Sequence, residues 1–152
     1  MNWQPGQIIR IKNYKFEDDG SARNKYAIVL YANDKNAYLI HCLTTSQNNL
    51  SVPAVAYGCS VHHHVPFYFI PKGQKIGNED YFFDSDTFIF FMNNVRKEFF
   101  SKFEAASKTL FGVISLGILS NDELKRLIKC ALKSKFIPAD IEKELKDFKE
   151  TL

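Results

Sequence analysis

The chain has 152 residues, of which 45% are hydrophobic and 24% are charged, and this composition excludes a disordered or collagen-like chain. Lys and Arg number 20 against 17 Asp and Glu, so the formal net charge of +3 excludes the strongly basic surface of a general nucleic-acid coat protein. The length predicts a single domain over residues 1–152.

The compartment is predicted from apolar runs and from the cysteines. No stretch approaches the roughly 20 consecutive apolar residues of a membrane span, and the first residues, MNWQPGQIIRIKN, lack the pattern of a secretory signal. Cys42, Cys59 and Cys130 are scattered without C-x-x-C spacing, and an odd count favours a reducing compartment. We therefore expect a cytoplasmic protein with no membrane segment.

The part of the chain before about residue 116 predicts short strands. Runs rich in Val, Ile, Tyr and Phe alternate there with turns that contain Gly, Pro and Asn-Asp. The predicted strands are 7–12, 26–31, 37–43, 67–70 and 87–92. The 26–31 run, YAIVLY, is continuously apolar, as expected for a central strand. This part therefore predicts a small β barrel or sandwich.

Helical patterns follow the strands. The segment 94–110 is ambiguous, because its helical spacing of apolar residues favours a helix while its Phe content also suits a strand; of the two we expect a helix. Ser120 and Glu123 form an S-x-x-E capping box that predicts a helix over 121–133. Pro138 then breaks the chain before a short charged helix, which either packs on the barrel or serves a partner.

Four motifs in the same order resemble those of the PemK/MazF-like toxins, small barrel proteins related to the gyrase poison CcdB. Pro5-Gly6-Gln7-Ile8-Ile9 is similar to the family's opening strand. Asp19-Gly20-Ser21 followed by Ala27-Ile28-Val29-Leu30 resembles its first hairpin loop and second strand. Leu43-Thr44-Thr45-Ser46-Gln47 is similar to its C-T-T-Q stretch. Gly117-Ile118-Leu119-Ser120 with Asp122-Glu123-Leu124 resembles the entry to its C-terminal helix.

This resemblance implies an α+β, mainly β fold: an SH3-like barrel or pair of sheets of five to seven strands over about 1–116, with C-terminal helices over about 120–150. It also implies a toxin that cleaves single-stranded RNA without metal or cofactor. In that reaction the ribose 2′-hydroxyl attacks the adjacent phosphorus, so the site must stabilise the phosphate and move protons.

The resemblance assigns roles to five residues of this chain. Lys25 matches the family's arginine and Thr44 its active-site threonine, so these two are the expected catalytic residues. Arg23, Thr45 and Gln47 are the expected RNA-binding residues. The alternative is that the charges are solvated and that residues 44–47 form a polar turn capped by its own side chains.

The sequence departs from the family where active members have Arg-Pro, since it has Lys25-Tyr26. Two other functions therefore stay open. One is a non-catalytic barrel that docks onto or poisons a protein target. The other is an accessory domain of a mobile element whose barrel mediates assembly.

Histidines and carboxylates supply other candidate sites. His62-His63-His64 could provide a general acid or base, but adjacent residues of an extended chain point to opposite faces, so a surface turn is expected rather than a metal site. His41 is distant in sequence. The acidic groups Glu17-Asp18-Asp19 and Glu79-Asp80 with Asp84 and Asp86 lack the pattern of a two-metal nuclease and are expected to face water.

Partners are the last expectation. The resemblance implies single-stranded RNA, a cognate antitoxin and a homodimer whose two subunits build one RNA groove. The first strand and the 87–92 run were expected to supply the paired face, because Phe88, Phe90 and Phe91 exceed what one small core absorbs. The alternative is that these rings pack beneath the 94–110 segment and leave a monomer.

Overall fold

The computed structural model describes residues 2–15, 22–107 and 112–152, with side chains described at 2–12, 24–103 and 112–152. Within these ranges the chain forms strands, α-helices and a single 3-10 turn at Asn78–Asp80. The strands are β1 (Gln7–Lys15), β2 (Ala22–Asn33), β3 (Tyr38–Leu43), β4 (Gly58–His62), β5 (Val65–Ile70), β6 (Thr87–Phe90), β7 (Val95–Phe99) and β8 (Val113–Ile118). The helices are α1 (Phe100–Ser107), α2 (Asn121–Ala131) and α3 (Ala139–Lys149).

The strands form two antiparallel sheets. The larger sheet has the order β7-β3-β2-β1-β8, and the smaller has the order β4-β5-β6. A single bridge between Thr45 and Phe88 joins the end of β3 to β6. The predicted α+β, mainly β class is confirmed. Neither sheet closes on itself among the described strands, so the closed SH3-like barrel stays a prediction.

The larger sheet is covered on both faces, which explains the apolar run in β2. Ile28 and Leu30 pack into a cluster with α2, α3 and the smaller sheet. Ala27 and Val29 alternate with them and face the opposite cluster, which contains Trp3 and residues of β1 and β8. Because successive side chains of a strand point to opposite faces, a strand covered on both sides must be apolar at every position. The prediction of a central strand here is confirmed.

Phe88 and Phe91, in and directly after β6, are buried within the protein. Phe88 packs with Phe67 and Phe69 on the outer face of the smaller sheet, and Phe91 is fully buried in the main cluster. Phe88 and Phe91 therefore do not supply the expected exposed apolar face, and Phe90 is half-buried. Phe91 shares its cluster with Val95, near the start of the 94–110 segment. The expected role of β1 as a free edge is wrong too, because β1 lies between β2 and β8.

The ambiguous segment 94–110 contains both kinds of structure. Its first part is β7, which pairs with β3 from Tyr38 opposite Phe99 to Cys42 opposite Val95. The prediction of a helix is wrong for β7 and confirmed for α1, and residues 108–110 lie outside the described part. Residues 95–99 form a strand despite their helical spacing because they pair with the edge of β3. Strand propensity depends on the neighbours available for pairing.

The C-terminal helices close the main core. Ser120 is the N-cap of α2, and its hydroxyl accepts a hydrogen bond from the backbone N–H of Glu123, as predicted. Helix α2 ends at Ala131, two residues before the predicted end. Helix α3 buries Ile141 and Leu145, and its Phe148 ring packs 5.1 Å from the ring of Tyr31. Of the two roles expected for α3, the structure shows packing on the sheets.

A disulfide links two elements that are far apart in sequence. Cys59 of β4 is bonded to Cys130 of α2, across a separation of 71 residues, while Cys42 is a buried free thiol. The cysteine pattern had favoured a reducing compartment and left this pair unforeseen. No helix in the described part of the chain is long and apolar enough to cross a membrane.

Candidate functional site

A cleft of about 730 Å³ opens where the end of the larger sheet meets the segment before β6. Four parts of the chain line it: Arg10 of β1 with Asn24, Lys25 and Tyr26 of β2; the loop that leaves β3, with Thr44, Thr45, Ser46, Gln47 and Asn49; the 81–87 segment; and Leu116 of β8. The position follows from the sheet order, because β2 is hydrogen-bonded to both β1 and β3. The cleft is thus built on strands and lined by polar loops.

Four of the five residues expected from the sequence line this cleft. Lys25, Thr44, Thr45 and Gln47 come together there although about 20 residues of chain separate the first two. The fifth, Arg23, is a residue of β2, and its side chain lies outside the described part of the structure.

The ammonium group of Lys25 is held at the end of β3. Its Nζ donates a hydrogen bond to the backbone carbonyl oxygen of Thr44 at 2.9 Å, and the side chain is half-buried. A long lysine side chain loses rotamer freedom in such a contact. The contact therefore fixes a positive charge at one wall of the cleft.

Thr44 is almost fully buried, with 5% of its surface exposed. Its backbone N–H donates to the carbonyl oxygen of Tyr26 at 2.9 Å, and its hydroxyl donates to the same oxygen at 3.2 Å. The hydroxyl proton is therefore directed at the protein, and a phosphate oxygen would have to compete with Tyr26 for it. The lone pairs of the hydroxyl oxygen can still accept a hydrogen bond.

The loop beyond β3 is organised by its own side chains and by β6. Thr45 exchanges both backbone hydrogen bonds with Phe88, at 2.9 and 2.7 Å. Its hydroxyl accepts a hydrogen bond from the backbone N–H of Gln47 at 3.1 Å. The expected polar turn is therefore present, and it presents the exposed Gln47 side chain at the cleft.

Arg10 is a cleft residue that the sequence reasoning missed. It lies opposite Tyr26 in the pairing of β1 with β2, and its Nε is buried with no hydrogen-bond partner among the described residues. No carboxylate of the described part lies within 4 Å of its guanidinium. The alternation of Ile9, Arg10 and Ile11 shows that Arg10 faces away from its neighbours, but the sequence alone does not reveal which loops it faces.

Aromatic rings form part of the opposite wall. Phe82 is 47% exposed and Tyr26 is 38% exposed, whereas Phe83 is buried beneath them. The Phe83 ring lies edge-on to both Tyr26 and Tyr81, with ring centres 6.4 and 5.7 Å apart. Rings held by such packing offer flat surfaces at a low cost in conformational entropy.

Gly117 of β8 makes room for one of these rings. A Cβ atom at this position would lie 2.9 Å from the Tyr81 ring, closer than real Cβ contacts. The absence of a side chain at Gly117 thus sets the position of Tyr81 in the cleft wall. The sequence reasoning used this glycine only as part of a motif.

The histidine triplet lies elsewhere, in the turn between β4 and β5. His62 pairs with Val65, and His63 and His64 between them have φ angles of +49° and +67°. Positive φ at both central residues is the geometry of a type I′ hairpin turn. The expected surface turn is therefore present, and none of the three rings lines the cleft.

Carboxylates and metal ligands do not converge in the described part of the chain. No three His, Cys, Asp or Glu side chains there approach closely enough to hold a metal ion. Glu79 and Asp80 are exposed, Asp84 lines the cleft, and Asp86 accepts a hydrogen bond from the backbone N–H of Lys72. Residues 17–19 lie outside the described part.

The chain was also compared with known proteins. No protein-family model matches it, and no curated protein matches it. The chemistry of the cleft is therefore the basis for the function proposed below.

Proposed function

We propose that the chain is the toxin of a toxin–antitoxin pair and that its cleft binds and cleaves single-stranded RNA without metal. The observation that carries this proposal is the convergence of Arg10, Lys25 and Thr44 with exposed aromatic rings in one cleft. Among the described residues that line the cleft there are two cations, Arg10 and Lys25, and one carboxylate, that of Asp84, so the described walls carry a positive excess suited to a phosphate.

The two cations of the cleft bind the phosphate and stabilise its negative charge. A guanidinium presents two parallel N–H donors that match two phosphate oxygens, whereas an ammonium acts as a point charge. Arg10 supplies this planar fork, which Lys25 lacks. Lys25, fixed by its contact with Thr44, stabilises the negative charge that grows on the phosphate as the ribose 2′-hydroxyl attacks.

Thr44 contacts the ribose, and the loop and the aromatic rings contact the bases. Because the Thr44 hydroxyl donates to Tyr26, its oxygen is oriented to accept a hydrogen bond from a ribose 2′-hydroxyl. Tyr26 and Phe82 provide stacking surfaces for unpaired bases, each worth about 1–3 kcal/mol. Thr45 and Gln47 line the same wall and bind base edges.

RNA cleavage in EDTA tests this proposal. We expect the unmodified protein to cut an unstructured RNA and to leave a duplex intact, with 2′,3′-cyclic phosphate ends as product. Arg10→Gln and Lys25→Ala should each lower the rate about 100-fold, the usual effect of removing one group that stabilises the developing charge. Thr44→Ala should lower it as well.

The matched control is Lys135→Ala, which removes an exposed cation outside the cleft and should leave the rate unchanged. Absence of cleavage by the unmodified protein, or equal rates in the control and the cleft variants, would refute the catalytic assignment.

A second function is favoured by one observation. The Lys25 ammonium and the Thr44 hydroxyl both donate to backbone carbonyls, and no histidine is found among the described residues of the cleft. A cleft whose described residues include no histidine, and whose Lys25 and Thr44 already donate within the protein, suits a non-catalytic protein that poisons a protein target. Affinity capture that recovers one defined protein while RNA stays intact would decide for this function.

We also propose the assembly and the location that the resemblance implies: an SH3-like barrel that forms a homodimer in the cytoplasm and is neutralised by a small acidic antitoxin. Light scattering at micromolar concentration tests the dimer, since a strictly monomeric mass near 17.5 kDa would contradict it. Disulfides in the cytosol are typically transient, catalytic or redox-sensing. In a cytoplasmic protein the Cys59–Cys130 bond is therefore expected to be of one of these kinds.

A further inference from the structure

A second cavity, of about 300 Å³, lies over the disulfide. It opens between β4, β5 and α2 and is lined by the two bonded cysteines together with Tyr57, Tyr68 and basic residues of α2. Its volume matches a small ligand rather than a macromolecule. The residues that line this cavity are different from those that line the cleft described above.

The wall formed by α2 is cationic. Arg126 and Lys129 lie three residues apart on α2, and Lys133 follows just beyond the end of the helix; all three line the cavity. No carboxylate of the described part lies within 4 Å of Lys129 or Lys133. These two charges are therefore uncompensated.

The Glu123 carboxylate, which contacts three residues of the cavity wall, is already paired. It is 1% exposed, it accepts hydrogen bonds from the hydroxyls of Tyr57 and Tyr68, and it pairs with Arg126 at 3.0 Å. Burial and the neighbouring carboxylate raise the pKa of Tyr57 to about 12, so this hydroxyl stays a proton donor at neutral pH. The cavity thus keeps a positive excess from the two lysines.

The two bonded cysteines differ in exposure. Cys130 is fully buried, whereas Cys59 is half-buried on β4, an edge strand of the smaller sheet. Cys59, the more exposed of the two cysteines that line the cavity, is the expected point of attack. Cys130 is then the leaving sulfur, and Lys133, three residues further along the chain, lines the same cavity and supplies positive charge for the departing thiolate.

We propose that this cavity is a thiol–disulfide exchange site for a small anionic thiol of the glutathione class. The thiolate of the ligand attacks Sγ of Cys59, a new S–S bond forms, the Cys59–Cys130 bond breaks, and Cys130 leaves as a thiolate that takes a proton from water. The electron pair of the broken bond stays on Cys130. A second thiol then attacks the mixed disulfide and releases reduced Cys59 with the oxidised dimer of the ligand.

The test compares three thiols of different charge on the oxidised full-length protein. Glutathione carries more carboxylates than amines, β-mercaptoethanol is neutral and cysteamine is cationic. Intact-mass spectrometry follows the mixed disulfide, and each rate is divided by the thiolate concentration. At low salt we expect glutathione to react about tenfold faster than cysteamine, with β-mercaptoethanol between them and the ratio falling as salt is added.

Variants assign this preference to the cavity. Lys129→Gln combined with Lys133→Gln should bring the ratio of glutathione to cysteamine close to one. Lys125→Gln, on the same helix but outside the cavity, should leave it at the unmodified value. Peptide mapping should find the ligand on Cys59.

Three results would overturn the proposal. The first is three reactive thiols in protein unfolded without reductant, where the disulfide predicts the single thiol of Cys42. The second is a charge preference that the lysine variants do not change. The third is attachment of the ligand to Cys130 instead of Cys59.

Discussion

His41 is a titratable residue enclosed by apolar and cationic neighbours. Neither ring nitrogen has a hydrogen-bond partner among the described residues, and the ring of Phe103 lies edge-on at 5.4 Å. Burial, and then the charges of Arg96 and Lys102, lower the pKa of His41 to about 3. The folded protein therefore holds this imidazole neutral, whereas the unfolded chain binds a proton below about pH 6.5.

This difference predicts a loss of stability in acid. Between about pH 6.5 and 3 the unfolded state binds more protons at this position, so the free energy of unfolding falls as the pH decreases, by about 1.4 kcal/mol per pH unit. His41→Leu removes the titrating group at similar volume. The free energy of unfolding of both proteins is measured in urea at several pH values. As the pH decreases from about 6.5 to 3, the stability of the variant relative to the unmodified protein should increase by about 1.4 kcal/mol per pH unit. Parallel pH profiles would contradict the assignment.

For individual residues, the sequence predicted which side chains line the cleft better than it predicted their contacts. Lys25 and Thr44 were found because the motifs that contain them are continuous in sequence. Arg10 was missed because its place in the cleft depends on the pairing of β1 with β2. Glu123 was identified only as part of a capping box, because its partners Tyr57 and Tyr68 lie 66 and 55 residues away. Chemistry that arises from pairing register leaves no local pattern.

Among the elements, β8 depends on a glycine that approaches it from another segment. Gly77 forms a bridge with Leu119, and a Cβ at Gly77 would lie 2.2 Å from the carbonyl oxygen of Ile118. The φ of Gly77 is −151°, which any residue adopts, so the constraint is steric rather than conformational. The backbone of β8 cannot move away without losing its pairing with β1.

Gly77→Ala should therefore lower the free energy of unfolding by about 1–3 kcal/mol, the usual cost of overpacking a close contact. Lys75→Ala, at an exposed neighbouring position, is the control and should change stability by less than about 0.5 kcal/mol. Guanidinium unfolding measures both. A Gly77→Ala protein as stable as the control would mean that the two backbones are not in contact.

The elements differed in how clearly the sequence predicted them. Strand β2 was found because burial on both faces makes it continuously apolar. Strand β4 was missed because it is an edge strand in which two consecutive residues, Ser60 and Val61, are exposed, so it shows no alternation. Strand β7 was taken for a helix because the spacing of Val95 and Phe99 fits both structures, and only its pairing with β3 decides.

For the whole molecule, the disulfide ties the smaller sheet to α2. Because the bond closes a loop of about 70 residues, reduction restores much conformational freedom to the unfolded chain. The loop-closure entropy predicts that reduction lowers the free energy of unfolding by about 4 kcal/mol. Denaturant unfolding with and without a phosphine reductant measures this difference.

The control is the double variant Cys59→Ser, Cys130→Ser, which should match the reduced protein and show no response to the reductant. Equal unfolding free energies for the oxidised and reduced protein would contradict the prediction. The sequence predicted the fold class, since strand-like runs and helix caps are local signals. It could not predict the cysteine pair, because no local signal connects residues 71 positions apart.

The pairing of β1 with β8 also has a consequence for the time at which the protein folds. Ile8 is paired with Gly117, so β1 cannot complete its pairing until the ribosome has synthesised a further 109 residues (117 minus 8). At about 5–20 residues per second this delay lasts about 5–20 s. During that interval one edge of β1 exposes unpaired N–H and C=O groups, the kind of edge on which other chains assemble. The nascent chain is therefore most vulnerable to aggregation just before β8 emerges, and a chaperone that covers β1 would act in that interval.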